Sequence, residues 1–480
     1  MNKNFLFFIS LIFTISIFTS CGAKEEKKEA IEQIFYTVMP KKTFTLNPHS
    51  YSDENSRALI MQLWEGITEL KDSGARLISA KKIEHSEDFK KWTVILRDDL
   101  KWSDGKKIDA QSFLDSWLAV LESKDVSEEV YRLFVIENAE NIYLKKSSAS
   151  NLGVSATGNT LNIVLNTPVE NFDEWLSNPI FFPTREENKF LKPENLIVNA
   201  AFKIAELNEQ NLILEKNQDY WDSQNTRLKK VNISLVEDKI MAYEMFPRLE
   251  IDFFGSPFYR LPFERRKQAN SLPEKVEFET NKYSYISFSA DNAFFNLAEV
   301  KKELYAVTDP EFMGKVIVQN SSPSIFPHEH PSSKIIEEAS DKFLKLKEKN
   351  KISYPDEAYI AYSEPNKTLE KKLLISTLKD WIGQFKMPIR VKSSLDISPT
   401  FSFNTYLLGT NNLKDFYYYI NYKYQNSNKK LLIKNEEEFL EKLPVIPLNK
   451  IYTTVLVHSN VQGLYMSPSG DVYLKYVYMK

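Results

Sequence analysis

Pro327-His-Glu-His-Pro331 sets two imidazoles two residues apart, a spacing at which they can share one metal ion. A metal site also needs further ligands and a supporting shell of hydrogen bonds. His49, His85 and His458 each stand alone, and no zinc-binding HExxH pattern occurs. The pair is therefore read as a proline-flanked loop, with no metal or cofactor expected. Ser79-Ala-Lys-Lys82 satisfies an S-x-x-K pattern, in which a lysine activates a serine, but its partner motifs and any G-x-S-x-G elbow are missing. Glycine is scarce, 12 in 480 residues, and no glycine-rich loop cradles a phosphate. The chain is read as a non-enzyme.

Cys21 is the single cysteine, so no disulfide can form within the chain. Ahead of it stand Lys3 and the apolar run Phe5 to Phe18, broken only by Ser and Thr, which is the layout of a cleavable export signal. That run is shorter than the ~20 residues needed to span a bilayer. Ile17-Phe-Thr-Ser-Cys21-Gly22 resembles the lipobox of bacterial lipoproteins, which implies that residues 1–20 are removed and the Cys21 thiol is acylated. Residues 21–31 are charged and poor in apolar side chains, so they are expected to form a tether. Gly22 to Ala30 would reach about 30 Å at ~3.3 Å per residue.

Composition bounds the rest. Some 42% of residues are hydrophobic and the net charge is only -3, so a large core can be buried and no bias towards nucleic acid exists. The length exceeds what one hydrophobic core serves, so at least two lobes are expected. Strands are predicted at Trp92–Arg97, Leu161–Leu165, Asn211–Lys216 and Lys230–Val236, and a helix at Asp109–Leu121 behind an Asp cap. Ser332–Glu348 and Leu369–Phe385 show amphipathic helical spacing, and Trp102-Ser-Asp-Gly105 is a turn. Polar breaks fall near Pro262–Asn270, Asn320–Ser333 and Gln425–Lys430, none long enough for a flexible linker. Lobes joined by short crossing strands, with a cleft between them, are therefore expected.

An ordered set of motifs carries a resemblance. Leu46-Asn-Pro-His49, Leu63-Trp-Glu-Gly-Ile67, Trp92–Arg97, Leu100-Lys-Trp-Ser-Asp-Gly105 and Asp109-Ala-Gln-Ser-Phe113 follow one another as in bacterial oligopeptide-binding proteins of peptide ABC importers. The likeness continues through Asn178–Pro183, Leu214–Asp222 and Glu250–Pro257, and resumes at Leu443–Leu448 and Val461–Pro468. It implies an α/β, two-lobed periplasmic-binding-protein-like fold of type II, in the peptide-binding cluster, with an extra subdomain in lobe I. The expected lobe I is 32–265 with 447–480, its inserted subdomain 65–179, and lobe II is 266–446, shortened. Trp92, Trp102, Trp117 and Tyr220-Trp221 are read as packing residues, because large aromatics mainly supply buried area.

The resemblance also implies a ligand site. In the family an aspartate in a Trp-x-Ala-Asp-Tyr stretch pairs with the peptide α-amine, and the matching stretch is Asn412-Leu-Lys-Asp-Phe416. Asp415 is the first candidate for ligand contact, with Asn411, Asn412 and Leu413 as neighbouring backbone and Ser52, Asp53 and Glu54 as backbone partners in the first lobe. A helix cap is the plain alternative for Asp415, and a polar loop for 52–54. The tryptophan has become Asn412 and the alanine Lys414, a cation expected to compete for the Asp415 carboxylate. The segment between Tyr422 and Leu443 is compressed. The expected function is a substrate-binding lipoprotein of an ABC importer, a monomer that captures short peptides for a permease and is anchored to a membrane of the cell envelope through lipid. The alternative is a degenerate binding fold reused as an envelope or surface interaction lipoprotein.

Overall fold

The structure is a computed structural model. It describes residues 31–289, 292–313, 324–326, 328, 331–350, 358–362, 378–387, 389–393, 401–424 and 433–480. The export signal, Cys21, nearly all of the tether, His330, the break at 425–430 and the first part of the helix expected over Leu369–Phe385 lie outside the described residues.

The framework of the first half comprises β1 (Ile34–Met39), α1 (Glu54–Leu63), β2 (Ala80–His85), β3 (Lys91–Leu96), α2 (Ala110–Glu122), β4 (Val154–Thr157), β5 (Thr160–Val164), β6 (Phe202–Leu207), β7 (Asn211–Lys216), β8 (Lys230–Leu235) and β9 (Phe253–Gly255). The second half contributes β10 (Lys275–Phe288), α3 (Ser333–Lys349), β11 (Ala358–Tyr362), β12 (Ile389–Ser393), β13 (Phe401–Leu407), α4 (Lys414–Tyr424) and β14 (Ile446–Val457).

Local chemistry explains the predicted elements. On β3, Trp92, Val94 and Leu96 are buried while their neighbours are not, the period-2 pattern of a half-buried strand. At the start of α2 the Asp109 carboxylate accepts from the Ser112 amide at 3.1 Å, and the Ser112 hydroxyl accepts from the Asp109 amide at 3.3 Å. This reciprocal cap satisfies two otherwise orphaned donors. Phe113, Trp117, Val120 and Leu121 then fall on one buried face. Gly105, at φ +81°, closes the turn after Trp102, a backbone region that glycine enters without strain. The expected break at Pro262–Asn270 instead holds two short helical turns, Phe263–Arg265 and Arg266–Ala269, too brief to show an apolar period.

Strands β2, β3, β5 and β4 form an antiparallel sheet in the order β2-β3-β5-β4, all within the stretch expected to be the inserted subdomain. A second sheet runs β1-β8-β7-β6, with β1 parallel to β8. One large core unites residues of both sheets with the C-terminal Val461–Met479 stretch. A separate core gathers Phe288, Phe294, Phe343, Trp381, Phe401 and Leu448.

The third sheet joins these bodies, in the order β9-β14-β10-β13-β11-β12. β10 and β14 are long and pair antiparallel on both sides of an irregularity at Thr280 and Asn281, between the pairs Glu279↔Tyr452 and Lys282↔Ile451. At one end β14 also pairs with β9, and at the other β10 pairs with β13. The bulge is tied down: the Thr280 hydroxyl donates to the Ile451 carbonyl, and the Asn281 amide donates to the Pro468 carbonyl. The Asn281 side chain donates to Thr410 O at 2.9 Å and to Asn411 Oδ1 at 3.1 Å. A bulge re-aims and twists a strand, and here it does so where the chain passes from the first core to the second.

Candidate functional site

The stretch 409–413 leads from β13 into α4. Asn412 accepts the Lys414 amide on its side-chain oxygen at 2.9 Å, and its carbonyl takes the Asp415 amide at 3.1 Å. A short polar side chain that folds back on its own backbone is what this turn requires. It is also a physical reason for Asn where a tryptophan was expected. Asp415 sits in the first turn of α4 and is fully buried.

Its carboxylate is met from the first half of the chain. Arg132, in the 3-10 segment Glu128–Val135, places Nη1 2.7 Å from Asp415 Oδ1 and 2.8 Å from Oδ2. The Tyr131 hydroxyl donates to Oδ1 at 3.1 Å, and the Gly409 amide donates to Oδ2 at 2.9 Å. Arg132 also donates from Nη2 to the Tyr406 hydroxyl at 2.9 Å and from Nε to Glu129. The Tyr131 and Tyr406 hydroxyls are hydrogen-bonded to each other. Gly409 makes this possible: a Cβ there would stand 3.1 Å from the guanidinium carbon. Trp175 and Tyr131 lie beside the guanidinium, with ring centroids 5.4 and 5.1 Å from its carbon.

Burial lifts the Asp415 carboxyl above the usual carboxylate value; Arg132 pulls it down and Glu129 adds to the lift. Burial likewise opposes the Arg132 charge, but Asp415, Tyr131, Tyr406 and Glu129 together more than offset it and keep the guanidinium protonated. Burial pushes the Tyr131 and Tyr406 phenols well up, so both stay neutral. Two carboxylates thus share one guanidinium.

The cation expected to compete for Asp415 was Lys414, and the structure corrects this. Lys414 turns to Glu170, 3.6 Å away and exposed, while the competing cation is Arg132. Arg132 was missed because 283 positions separate it from Asp415. Its signal was a charged residue inside the apolar run Val130–Ile136, where an unpaired charge is costly.

Around this pair the stretch 411–424 meets the first half of the chain through polar and aromatic contacts. The Asn411 amide donates to Glu174 Oε2 and its side chain to the Lys71 carbonyl, both at 2.8 Å. Tyr131 stacks on Tyr422 at 5.4 Å and lies tilted against Tyr419 at 5.8 Å, and Tyr418 meets Trp175 edge-on at 5.3 Å. Leu413 packs partly buried into the same cluster. In the first lobe Asp53 caps α1, taking the Asn55 and Ser56 amides at 3.0 Å each, and pairs with Lys42. Burial raises its pKa, yet Lys42 and Ser56 hold the carboxyl below the usual value. Ser52 and Glu54 are exposed, and Glu54 reaches Lys282 on β10 at 3.6 Å, one residue from Asn281. The two predicted stretches, 52–54 and 411–413, are therefore both linked to the bulge of β10.

A cavity of about 930 Å³ opens elsewhere, on the first lobe between Leu46–His49, α2 and 184–196, with Trp64 and Trp102 in its wall. None of its lining residues is a partner of Asp415. His328 hydrogen-bonds the Thr308 carbonyl at 2.9 Å through Nε2 and lies beside Tyr305. Trp92, Trp102, Trp117 and Tyr220 are core residues, and Trp221 donates to Glu65 at 2.8 Å.

Residues 77–374 match the bacterial extracellular solute-binding proteins, family 5 middle region. The oligopeptide-binding protein OppA of Bacillus subtilis is 26% identical over 98% of this chain and 98% of its own. Among solved structures, Haemophilus influenzae OppA in complex with RPPGFSPFR superposes with a TM-score of 0.77 at 19% identity, over 94% of this chain and 99% of that one. The Escherichia coli murein tripeptide binding protein MppA gives 0.77 at 20% identity, with the same coverage. The chain shares the two-lobed fold of these solved structures.

Proposed function

Since this chain belongs to the bacterial extracellular solute-binding proteins of family 5, we propose that it is the substrate-binding lipoprotein of an ABC importer, capturing oligopeptides between its lobes and passing them to a membrane permease. The observation that carries this reading is the buried Asp415 carboxylate at the lobe boundary, which already holds a cation contributed by the opposite lobe. A carboxylate so placed can take the α-ammonium of a peptide in the same way. An extended peptide would gain further affinity by pairing its backbone with 52–54 on one side and 411–413 on the other, leaving its side chains unread. Closure about the bulge in β10 would bury it. We assign lobe I to 32–265 with 447–480, its inserted subdomain to 65–179, and lobe II to 266–446. Cys21 anchors the monomer to a membrane of the cell envelope.

One observation favours the second reading, an interaction lipoprotein that has kept the fold without the ligand: Arg132 fills the Asp415 carboxylate from within the chain. A single experiment separates the two. The full-length protein in detergent is melted with and without a random pool of tri- to pentapeptides at millimolar concentration. A ligand that binds only the folded state stabilises it, by about 2.7 kcal/mol at a hundredfold excess over Kd. A rise in Tm is the expected result. No rise, together with recovery of a protein partner from envelope extracts, would replace the importer reading with the second one.

A further inference from the structure

The seam between the lobes holds an uneven charge count. Asp415 is wholly buried and Glu129 only partly exposed, and among the described residues the sole guanidinium bonded to both is Arg132. Arg57 also feels Glu129, but the Asp471 carboxylate holds it bidentately through Nε and Nη2, at 2.7 and 2.8 Å. Asn178 adds an amide donor to Glu129 at 3.3 Å, without charge. The Tyr131 and Tyr406 phenols are neutral, and Lys414 and Lys423 are turned outward to Glu170 and Glu128. The cluster thus carries one negative charge beyond what its own cation balances.

Geometry gives Arg132 two destinations. Nη1 bridges both Asp415 oxygens while Nε is already on Glu129, three residues earlier in the same segment. The second lobe is shaped to receive a cation at this point, with the Cβ-less face of Gly409 against the guanidinium and its amide fixing the carboxylate. Exchange of one cation for another on Asp415 would leave neither carboxylate unpaired, so no stage isolates a buried charge.

Resting on the peptide-binding reading, we propose that Arg132 is a tethered stand-in for the cationic end of the ligand. Without ligand its guanidinium occupies Asp415 and latches the lobes; an entering primary ammonium takes Asp415 and Arg132 withdraws onto Glu129. Arg132 thereby sets how far a free ammonium is preferred over an acylated amine, because it competes with the first and not with the second. A ligand with a free ammonium can displace it, and one whose amine is acylated leaves Asp415 to the latch. For a ligand that must take Asp415, occupation of the site by the latch lowers apparent affinity by the fraction of molecules that are latched.

Two variants and two readouts test this in the full-length protein. Half-saturating concentrations are measured for the random tri- to pentapeptide pool and for the same pool N-acetylated. Arg132→Gln is expected to tighten the free-amine pool about tenfold and leave the acetylated pool unchanged. Glu129→Gln removes the alternative berth and should weaken the free-amine pool about tenfold. Equal gains for both pools, or no gain, in Arg132→Gln would overturn the proposal. If that variant does not fold, an unchanged affinity in Glu129→Gln overturns it alone. Hydrogen exchange without peptide tests the latch independently of the ligand. Amides of Glu128–Val135 and Lys414–Tyr424 should exchange faster together in Arg132→Lys, whose single ammonium cannot hold the fork. Unchanged exchange there sinks the latch. Faster exchange with no peptide binding in any variant would retain the latch and refute the peptide reading.

Discussion

Arg132 brings a planar fork of donors to the seam, and three of its nitrogens find named acceptors in Glu129, Asp415 and Tyr406. His49 shows a different use of burial. Its Nε2 lies 2.9 Å from the Phe182 carbonyl, which can only accept, so Nε2 carries the proton. Burial lowers its pKa from 6.5 to about 4, the Phe182 bond opposing weakly. The unfolded chain therefore takes up a proton as pH falls below 6.5 while the folded chain does not until about 4. Stability supplied by the neutral ring is complete above 6.5 and is lost across that window, by about 3 kcal/mol. Urea midpoints should drop between pH 7 and 4 in the wild type and drop less in His49→Asn; parallel declines would exclude His49 as the source. At this scale the sequence disclosed the Asp109 cap, a local motif, and pointed to Asp415 through the resemblance alone. It hid Arg132, whose partner no spacing rule connects to it.

The loop between β13 and α4 is the element on which the seam depends. Gly409 leaves its face open to the guanidinium, with 3.1 Å between a notional Cβ and two of its atoms. Gly409→Ala should therefore crowd Arg132 and cost about 1–3 kcal/mol, the usual range for overpacking. The penalty should shrink by at least about 0.5 kcal/mol in the presence of Arg132→Gln, since residues in contact couple in a double-mutant cycle. Additive losses in chemical denaturation would show that Gly409 serves its backbone alone. Elements with a clear apolar period, such as β3 and α2, were legible within a residue or so of their ends. The short helical turns of 263–269 were not, because a single turn buries too little to leave a pattern. Nor was the bulge of β10, since Thr280 and Asn281 differ from their neighbours in partners and not in type.

For the molecule as a whole, the fold was legible because many weak motifs occur in one order along most of the chain, and a shared order is harder to reach by chance than any motif. Anchoring is tested at this scale. Cys21→Ser should move the protein from the detergent phase to the aqueous phase of a Triton X-114 separation, because a serine hydroxyl offers no thiol for acylation. Retention in the detergent phase would mean that another segment holds the membrane.

β10 carries the chain out of the first body and β14 brings it back alongside. Everything from 289 to 445 is thus enclosed as if between parentheses, and both ends of the excursion are fastened to each other. Residues can be added or removed inside the parentheses without shifting either terminus or the first body. Variation in chain length within such proteins should therefore accumulate between these two strands rather than outside them.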